Sequence, residues 1–225
     1  EPTAHTNLAI VGAGISGCAL AAALRQSGWG GSITLLEIGR GPGGRTATRR
    51  SRSDPHLRIN HGAPFFNITQ LPAPGLLQPL RDQGWITAFQ WPICSLDGQR
   101  QLHEPIDDGL SAGDLWQGNG GMEQLCRGLL ELASDAGQRD HQMLSGSLVR
   151  TLHPLTSPQG AVQSWMLSNG EGQELIHADW LVLSGTLLSH PRCQTLFGWS
   201  AIPLQEAAQQ LNDPALHQAA AELAS

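Results

Sequence analysis

A short apolar strand that ends in Gly12-Ala13-Gly14-Ile15-Ser16-Gly17 and opens straight into a helix leaves few folds available to this chain. Asn7 to Val11 reads as a buried strand because it is apolar, brief and stopped by glycine. Ile15 to Ser27 follows as an Ala/Leu-rich helix that stops at Gly28, and Ser32 to Glu37 is a second buried strand. Strand, helix and strand in that order dictate two parallel strands joined by a right-handed crossover.

The three glycines of this GxGxxG run have separate tasks. Gly12 permits the tight turn out of the strand, Gly14 admits a pyrophosphate to the backbone, and Gly17 lets the helix pack on the sheet. The helix N-terminus adds unpaired N–H groups and a positive dipole end, so Ala13, Ile15 and Ser16 join the glycines as candidate phosphate contacts. Glu37 closes the second strand, where a carboxylate accepts hydrogen bonds from both hydroxyls of a ribose. It would repel a 2′-phosphate, which disfavours NADP. FAD and NAD fit these features equally.

Composition narrows the class. With 225 residues, 40% of them hydrophobic, and 27 glycines, the chain is a loop-rich α/β protein rather than a disordered one. A net charge of -6 argues against a nucleic-acid partner. Arg45, Arg49, Arg50 and Arg52 make the nearest thing to a basic patch, read either as a solvated loop or as contact with an anionic cofactor. Leu8 to Leu24 carries no charge, but its glycines and the lack of a preceding cation read as buried strand and helix, not a signal peptide or a membrane span. Glu1 in place of a methionine hints at a trimmed start. Cys18, Cys94, Cys126 and Cys193 lie far apart with no CxxC, so neither a disulfide nor a zinc site is expected and the setting reads as reducing and cytoplasmic. Asp54, His56 and His61 approach metal-ligand spacing without a helical register, and no metal is expected there.

Beyond Glu37 the pattern is coarser. Gly39 to Gly44 is a glycine-rich loop and Leu57 to Asn60 a short strand. Leu71 to Gly84 holds Pro72, Pro74 and Pro79, so only its second half can be helical. Phe89, Trp91 and Ile93 alternate like a strand, as do Gln101 to Glu104 less clearly. Gly120-Gly121 opens an amphipathic helix over Met122 to Ala133. Gln142 to Leu152, Val162 to Leu167 and Glu174 to Leu183 read as the strands of a meander, and helices are expected over Leu204 to Leu211 and Pro214 to Leu223. The fold class expected is α/β: a Rossmann-type parallel sheet with a β-meander insertion, plus a partial α+β substrate domain. The cofactor domain is expected over 1–70 and 113–190, and the substrate domain over 71–112 and 191–225.

Glu37-Ile38-Gly39-Arg40-Gly41-Pro42-Gly43-Gly44-Arg45-Thr46-Ala47-Thr48-Arg49 closely resembles the second glycine motif of the flavin-containing amine oxidase superfamily. The resemblance implies that FAD is the cofactor, with Glu37, Ile38, Gly43, Gly44 and Arg45 among its contacts. Asn60-His61-Gly62-Ala63 resembles a turn of the renalase-like branch that lies beside the isoalloxazine ring, which would place His61, Gly62 and Ala63 near the flavin. A hydrogen-bonded core histidine is the plainer reading of His61. The chain departs from that pattern where Asn60 replaces the usual acid and Pro64-Phe65 the usual Gln-Tyr. Gly120-Gly121-Met122 resembles the family's helix start, and the strand after it, here carrying Leu148 and Val149, would clasp the adenine with its backbone. Asp179 to Ser184 resembles the strand that returns to the cofactor domain.

The implied activity is that of an FAD-dependent oxidoreductase of oxidase type. It would pass a hydride from a small-molecule substrate, such as an isomer of a reduced nicotinamide dinucleotide, to flavin and then to molecular oxygen. An amine oxidase of the same superfamily is the alternative. No residue is assigned as catalytic. The resemblance also implies a final glycine-and-acid segment over the flavin, and none follows Ser184, so the chain reads as lacking its C-terminal part. That makes a non-catalytic nucleotide-binding remnant the reading from another class. An NAD-dependent dehydrogenase would leave Gly43-Gly44-Arg45 without a role.

Overall fold

Strands buried on both faces are continuously apolar, and two of them, joined through a helix, build the centre of this chain. The computed structural model describes residues 6–54, 56–69, 75–103, 112–134 and 141–224. β1 (Asn7–Val11), α1 (Ile15–Gln26) and β2 (Ser32–Glu37) form the expected unit. One 3-10 turn at Gly44–Thr46 leads into the hairpin β3 (Thr48–Arg50) and β4 (Arg58–Asn60). Next come β5 (Phe66–Ile68), α2 (Leu77–Asp82), β6 (Ile86–Ala88), the pair β7 (Ser95–Leu96) and β8 (Leu102–His103), and β9 (Asp114–Gly118). After them lie α3 (Glu123–Ser134), β10 (His141–Ser145), β11 (Thr151–Thr156), β12 (Val162–Ser168), β13 (Glu174–Ala178) and β14 (Trp180–Leu183). Three helices end the chain: α4 (Arg192–Phe197), α5 (Pro203–Leu211) and α6 (Pro214–Ala224).

The main sheet is parallel throughout, in the order β10-β2-β1-β14. Alternate residues of its strands serve two cores. Leu8, Ile10, Ile33 and Leu35 face α1 and α3, where they meet Cys18, Ala21, Ala22, Cys126 and Leu129. Ala9 and Leu36 face the other way, onto Val149, Leu167 and Ala178 of the meander side. The result is a helix layer, a parallel sheet and an antiparallel meander β11-β12-β13, a mixed α/β architecture with a Rossmann-like sheet. Each buried Leu or Ile contributes about 1.5–3 kcal/mol, enough to hold the glycine turns at the strand ends in place. Arg25 closes the crossover: it is buried, and its Nη1 donates to the carbonyls of Trp29 (3.0 Å) and Gly31 (2.7 Å).

Several boundaries differ from the sequence reading. Gln142 to Leu152 is two strands: β10 lies parallel beside β2, and Gly146, with φ 69°, turns the chain before β11 enters the meander. Leu148 and Val149 therefore lie in a connection, not in a strand. Glu174 to Leu183 also divides. Asp179 accepts the Asn7 N–H on Oδ2 (2.8 Å) and gives its own N–H to the Asn7 carbonyl (2.9 Å), which moves the chain from the meander to the edge beside β1. Phe89, Trp91 and Ile93 form no strand. Phe89 donates once, to the Leu115 carbonyl (2.8 Å), and Pro92 has no N–H with which to continue a ladder. Leu71 to Pro74 and Glu104 lie outside the described residues; the helix expected in the second half of that proline-rich stretch is α2. No described helix is long and apolar enough to cross a membrane.

Candidate functional site

The site is built where β1 and β2 end. Gly12 has φ 103° and donates its N–H to the Leu36 carbonyl at 2.8 Å, so the chain turns sharply out of the sheet. A Cβ on Gly17 would overlap the Gly12 carbonyl oxygen and stand 3.2 Å from Ile10 Cγ2. That is why α1 can begin directly over the loop. Ile15 and Ser16, in its first turn, are exposed, leaving the helix N-terminus open to a ligand.

Glu37 folds over this loop. It is only 8% exposed, and its two carboxylate oxygens accept the N–H of Ala13 (2.8 Å) and of Gly39 (2.7 Å). Two backbone donors and the positive end of α1 compensate the buried charge. A carboxylate offers about four lone-pair sites, so two remain for hydroxyl donors.

The second glycine loop crosses the first. Gly43 donates its N–H to the Ala13 carbonyl (2.8 Å), and a Cβ on Gly44 would lie 3.3 Å from Gly14 Cα. Gly43 has φ 143° and Gly44 φ 53°, conformations that side chains oppose. Arg45 is exposed beside them. Its carbonyl accepts the Ala63 N–H at 2.9 Å, and a Cβ on Gly62 would overlap that same oxygen. The Gly62-Ala63 turn is thus fastened to the second loop, and the structure brings Gly12, Ala13, Gly14, Gly17, Glu37, Gly43, Gly44, Arg45, Gly62 and Ala63 into one connected set. Ile38 stands at its rim, 52% exposed.

Two expectations change at the periphery. His61 is exposed, not a hydrogen-bonded core residue. Val149 is buried among Ala9, Leu36 and Leu167, while the neighbouring Ser147 N–H donates to the Glu37 carbonyl at 2.9 Å, so the connection does run past Glu37.

The sequence missed the cap of α3. Asn60 Oδ1 accepts the Met122 N–H (3.0 Å) and the Thr48 hydroxyl (2.8 Å), and the Glu123 N–H points to Thr48 Oγ1 (3.4 Å). Arg58 Nη1 donates to the Gly120 carbonyl at 3.0 Å. Arg50, grouped above with a possible cofactor patch, pairs instead with Glu123 at 3.1 Å. The hairpin β3-β4 is therefore clamped to the helix start by side chains from both its strands. A cation the sequence did not single out, Arg127 on α3, lies nearer the loops, with Nη2 3.6 Å from where a Cβ on Gly41 would stand.

Burial alone would raise the Glu123 pKa. The hydrogen bond and charge of Arg50, with the carboxyl's own backbone N–H, outweigh burial and hold it below its ordinary 4.5. A depressed folded-state pKa gives stability that is present above the unfolded value and lost as pH falls through the folded one. Stability should accordingly decline as pH drops below 4.5, and Glu123→Gln should flatten that decline. Urea midpoints at a series of pH values either side of it test this; parallel losses in wild type and variant would refute the share given to Glu123.

Residues 10–76 match the family described as an NAD(P)-binding Rossmann-like domain. No curated protein matches the chain. Among solved structures, the chain is similar to a provisionally assigned protoporphyrinogen oxidase from Exiguobacterium sp. 255-15, at 15% identity and TM-score 0.57, with 89% of this chain and 63% of that one covered. It is also similar to a CLA-producing fatty acid isomerase from P. acnes, at 13% identity and TM-score 0.60, covering 93% and 64%. An oxidoreductase from Methanosarcina mazei gives 13% identity and TM-score 0.57, covering 96% and 65%. The chain spans less than two thirds of the length of each. At such identities the likeness is one of fold, and an isomerase and an oxidoreductase share it, so the fold by itself assigns no reaction.

Proposed function

We propose that this chain binds FAD and serves an oxidoreductase. One observation carries the reading: two glycine loops touch at Gly14 and Gly44, with the Glu37 carboxylate folded between the strand ends that bear them. A single glycine loop suffices for an ADP-ribose. A second, pressed against the first and followed by exposed Arg45, supplies backbone N–H groups and a cation from the opposite side of a pyrophosphate.

In this reading Gly12, Ala13, Gly14, Ile15, Ser16 and Gly17 hold the pyrophosphate from one side and Gly43, Gly44 and Arg45 from the other. Glu37 takes the ribose hydroxyls, Ile38 and the backbone near Val149 border the adenine, and His61, Gly62 and Ala63 approach the flavin. Residues 1–70 and 113–190 make up the cofactor domain, and 71–112 with 191–225 contribute to substrate binding. Bound FAD supplies two-electron redox chemistry, and the protein supplies placement and exclusion of water. The finer assignment is to the renalase-like branch, with a small-molecule electron donor, oxygen as acceptor and a cytoplasmic setting.

The visible spectrum of the purified protein, before and after incubation with FAD, tests the reading. A flavin spectrum that survives desalting, with FAD released on denaturation, is the expected result. The family matched over residues 10–76 favours a second reading, a nicotinamide dinucleotide in the same cradle. A colourless protein that retains NAD but takes up no FAD would establish that one and overturn the first.

A further inference from the structure

We infer that Cys18, Cys126 and Thr46 form a buried clasp that fixes the spacing of the two glycine loops and so positions the dinucleotide cradle from beneath. The inference rests on the cradle reading above for its purpose, though not for its geometry. Cys18 lies one turn into α1 and Cys126 one turn into α3, and neither has any solvent exposure. Cys18 Sγ is 3.4 Å from the Ala13 carbonyl oxygen in the first loop. Cys126 Sγ is 3.5 Å from Thr46 Oγ1 in the second, and the Thr46 hydroxyl donates to the Gly43 carbonyl at 2.8 Å. Cys18 and Cys126 sit in the same buried cluster, where α1 packs on α3. The Gly43 N–H, donated to the Ala13 carbonyl at 2.8 Å, closes the ring.

The ring has a consistent proton arrangement. Thr46 spends its one proton on Gly43, so Cys126 can donate to Thr46 Oγ1, while Cys18 donates to Ala13. The neighbouring Cys126 sulfur, and then burial, push the Cys18 thiol above its ordinary range, so it stays protonated at neutral pH. A buried thiol that keeps its proton is a donor, not a nucleophile. Apolar side chains of the same size would fill the space between α1 and α3 but could not bond either loop. Because coupling is reciprocal, a clasp that sets the loop spacing must itself tighten when the cradle is filled.

The test begins with ligand-free protein. Thr46→Val removes the hydroxyl and keeps the shape, Thr46→Ser keeps the hydroxyl, and Cys126→Ala removes the sulfur. Amide hydrogen exchange is read in peptides covering residues 12–17 and 43–47, relative to peptides from the α3 core. Thr46→Val and Cys126→Ala are each expected to raise exchange in both loops together by about tenfold, with Thr46→Ser close to wild type. Ile33→Ala, a core change near the start of β2 and away from the loops, should raise exchange throughout and not in the two loops selectively. A response confined to one loop, or no larger than that of the α3 core, overturns the clasp.

The second measurement is the rate at which a thiol reagent labels Cys126 in wild type with and without FAD, where a slowing of about tenfold or more is expected. If FAD does not bind but the paired loop response persists, the cofactor reading falls and the clasp stands. If FAD binds without slowing the labelling, the positioning role falls alone.

Discussion

Glu37→Gln is expected to lower both the melting temperature and the affinity for FAD. In the folded chain the two carboxylate oxygens each accept a backbone N–H, from Ala13 at 2.8 Å and Gly39 at 2.7 Å. A glutamine has one acceptor and one N–H₂ group, so it can satisfy one of those donors and must face the other with a donor of its own. Losing one charge-assisted bond at a buried site costs roughly 2–3 kcal/mol. For a chain of this size that corresponds to a fall of about 5–10 °C. The same change halves the acceptors left for ribose hydroxyls and removes their charge, which should weaken FAD binding by about 30- to 100-fold. Thermal unfolding and a fluorescence titration with FAD separate the two effects. A variant that melts early but binds FAD normally would reduce Glu37 to a staple between loops and remove it from the binding site.

Glu37 was legible in the sequence because its evidence is local: an apolar strand of known length, a glycine turn before it and a glycine loop after it. The same holds for Gly12 to Gly17 and for Gly43-Gly44, whose positive φ values at Gly12, Gly43 and Gly44 are what glycine supplies. What stayed hidden is long-range. Arg50 looks like a cofactor cation beside Arg45 and Arg49, yet its partner Glu123 is 73 residues away. Asn60 looks like a lost acid within a motif, while its carbonyl oxygen caps α3 at Met122, 62 residues on. Cys18 and Cys126 have no spacing pattern at all; only the packing of α1 on α3 brings them together. The split at Gly146 was invisible for a different reason. Apolar residues continue on both sides of it, and alternation does not record whether a strand's partner is β2 or β12.

Gly62→Ala, like Glu37→Gln, should weaken FAD binding if the proposed cradle holds, with a smaller cost in stability. A methyl group at this position would overlap the Arg45 carbonyl oxygen and lie 2.7 Å from its carbon. Both obstacles are main-chain atoms, so neither can rotate away. The hydrogen bond from the Ala63 N–H to that carbonyl, 2.9 Å, must lengthen or break. Overpacking of this kind costs about 1–3 kcal/mol, and the exposure of Gly62 places the effect toward the lower end. Arg45 follows Gly44, which touches Gly14, so the displacement passes into the crossing of the two loops. FAD affinity is expected to fall by about tenfold or more, with a melting temperature only a few degrees lower. Gly98→Ala, where a methyl meets nothing within 4 Å, is the matched control and should change neither. If Gly62→Ala lowers the melting temperature but leaves FAD affinity intact, the turn braces the second loop without approaching the cofactor. If it behaves like Gly98→Ala in both measurements, the close packing of Gly62 on Arg45 does not hold in solution, and the connection between the Gly-Ala turn and the two glycine loops fails with it.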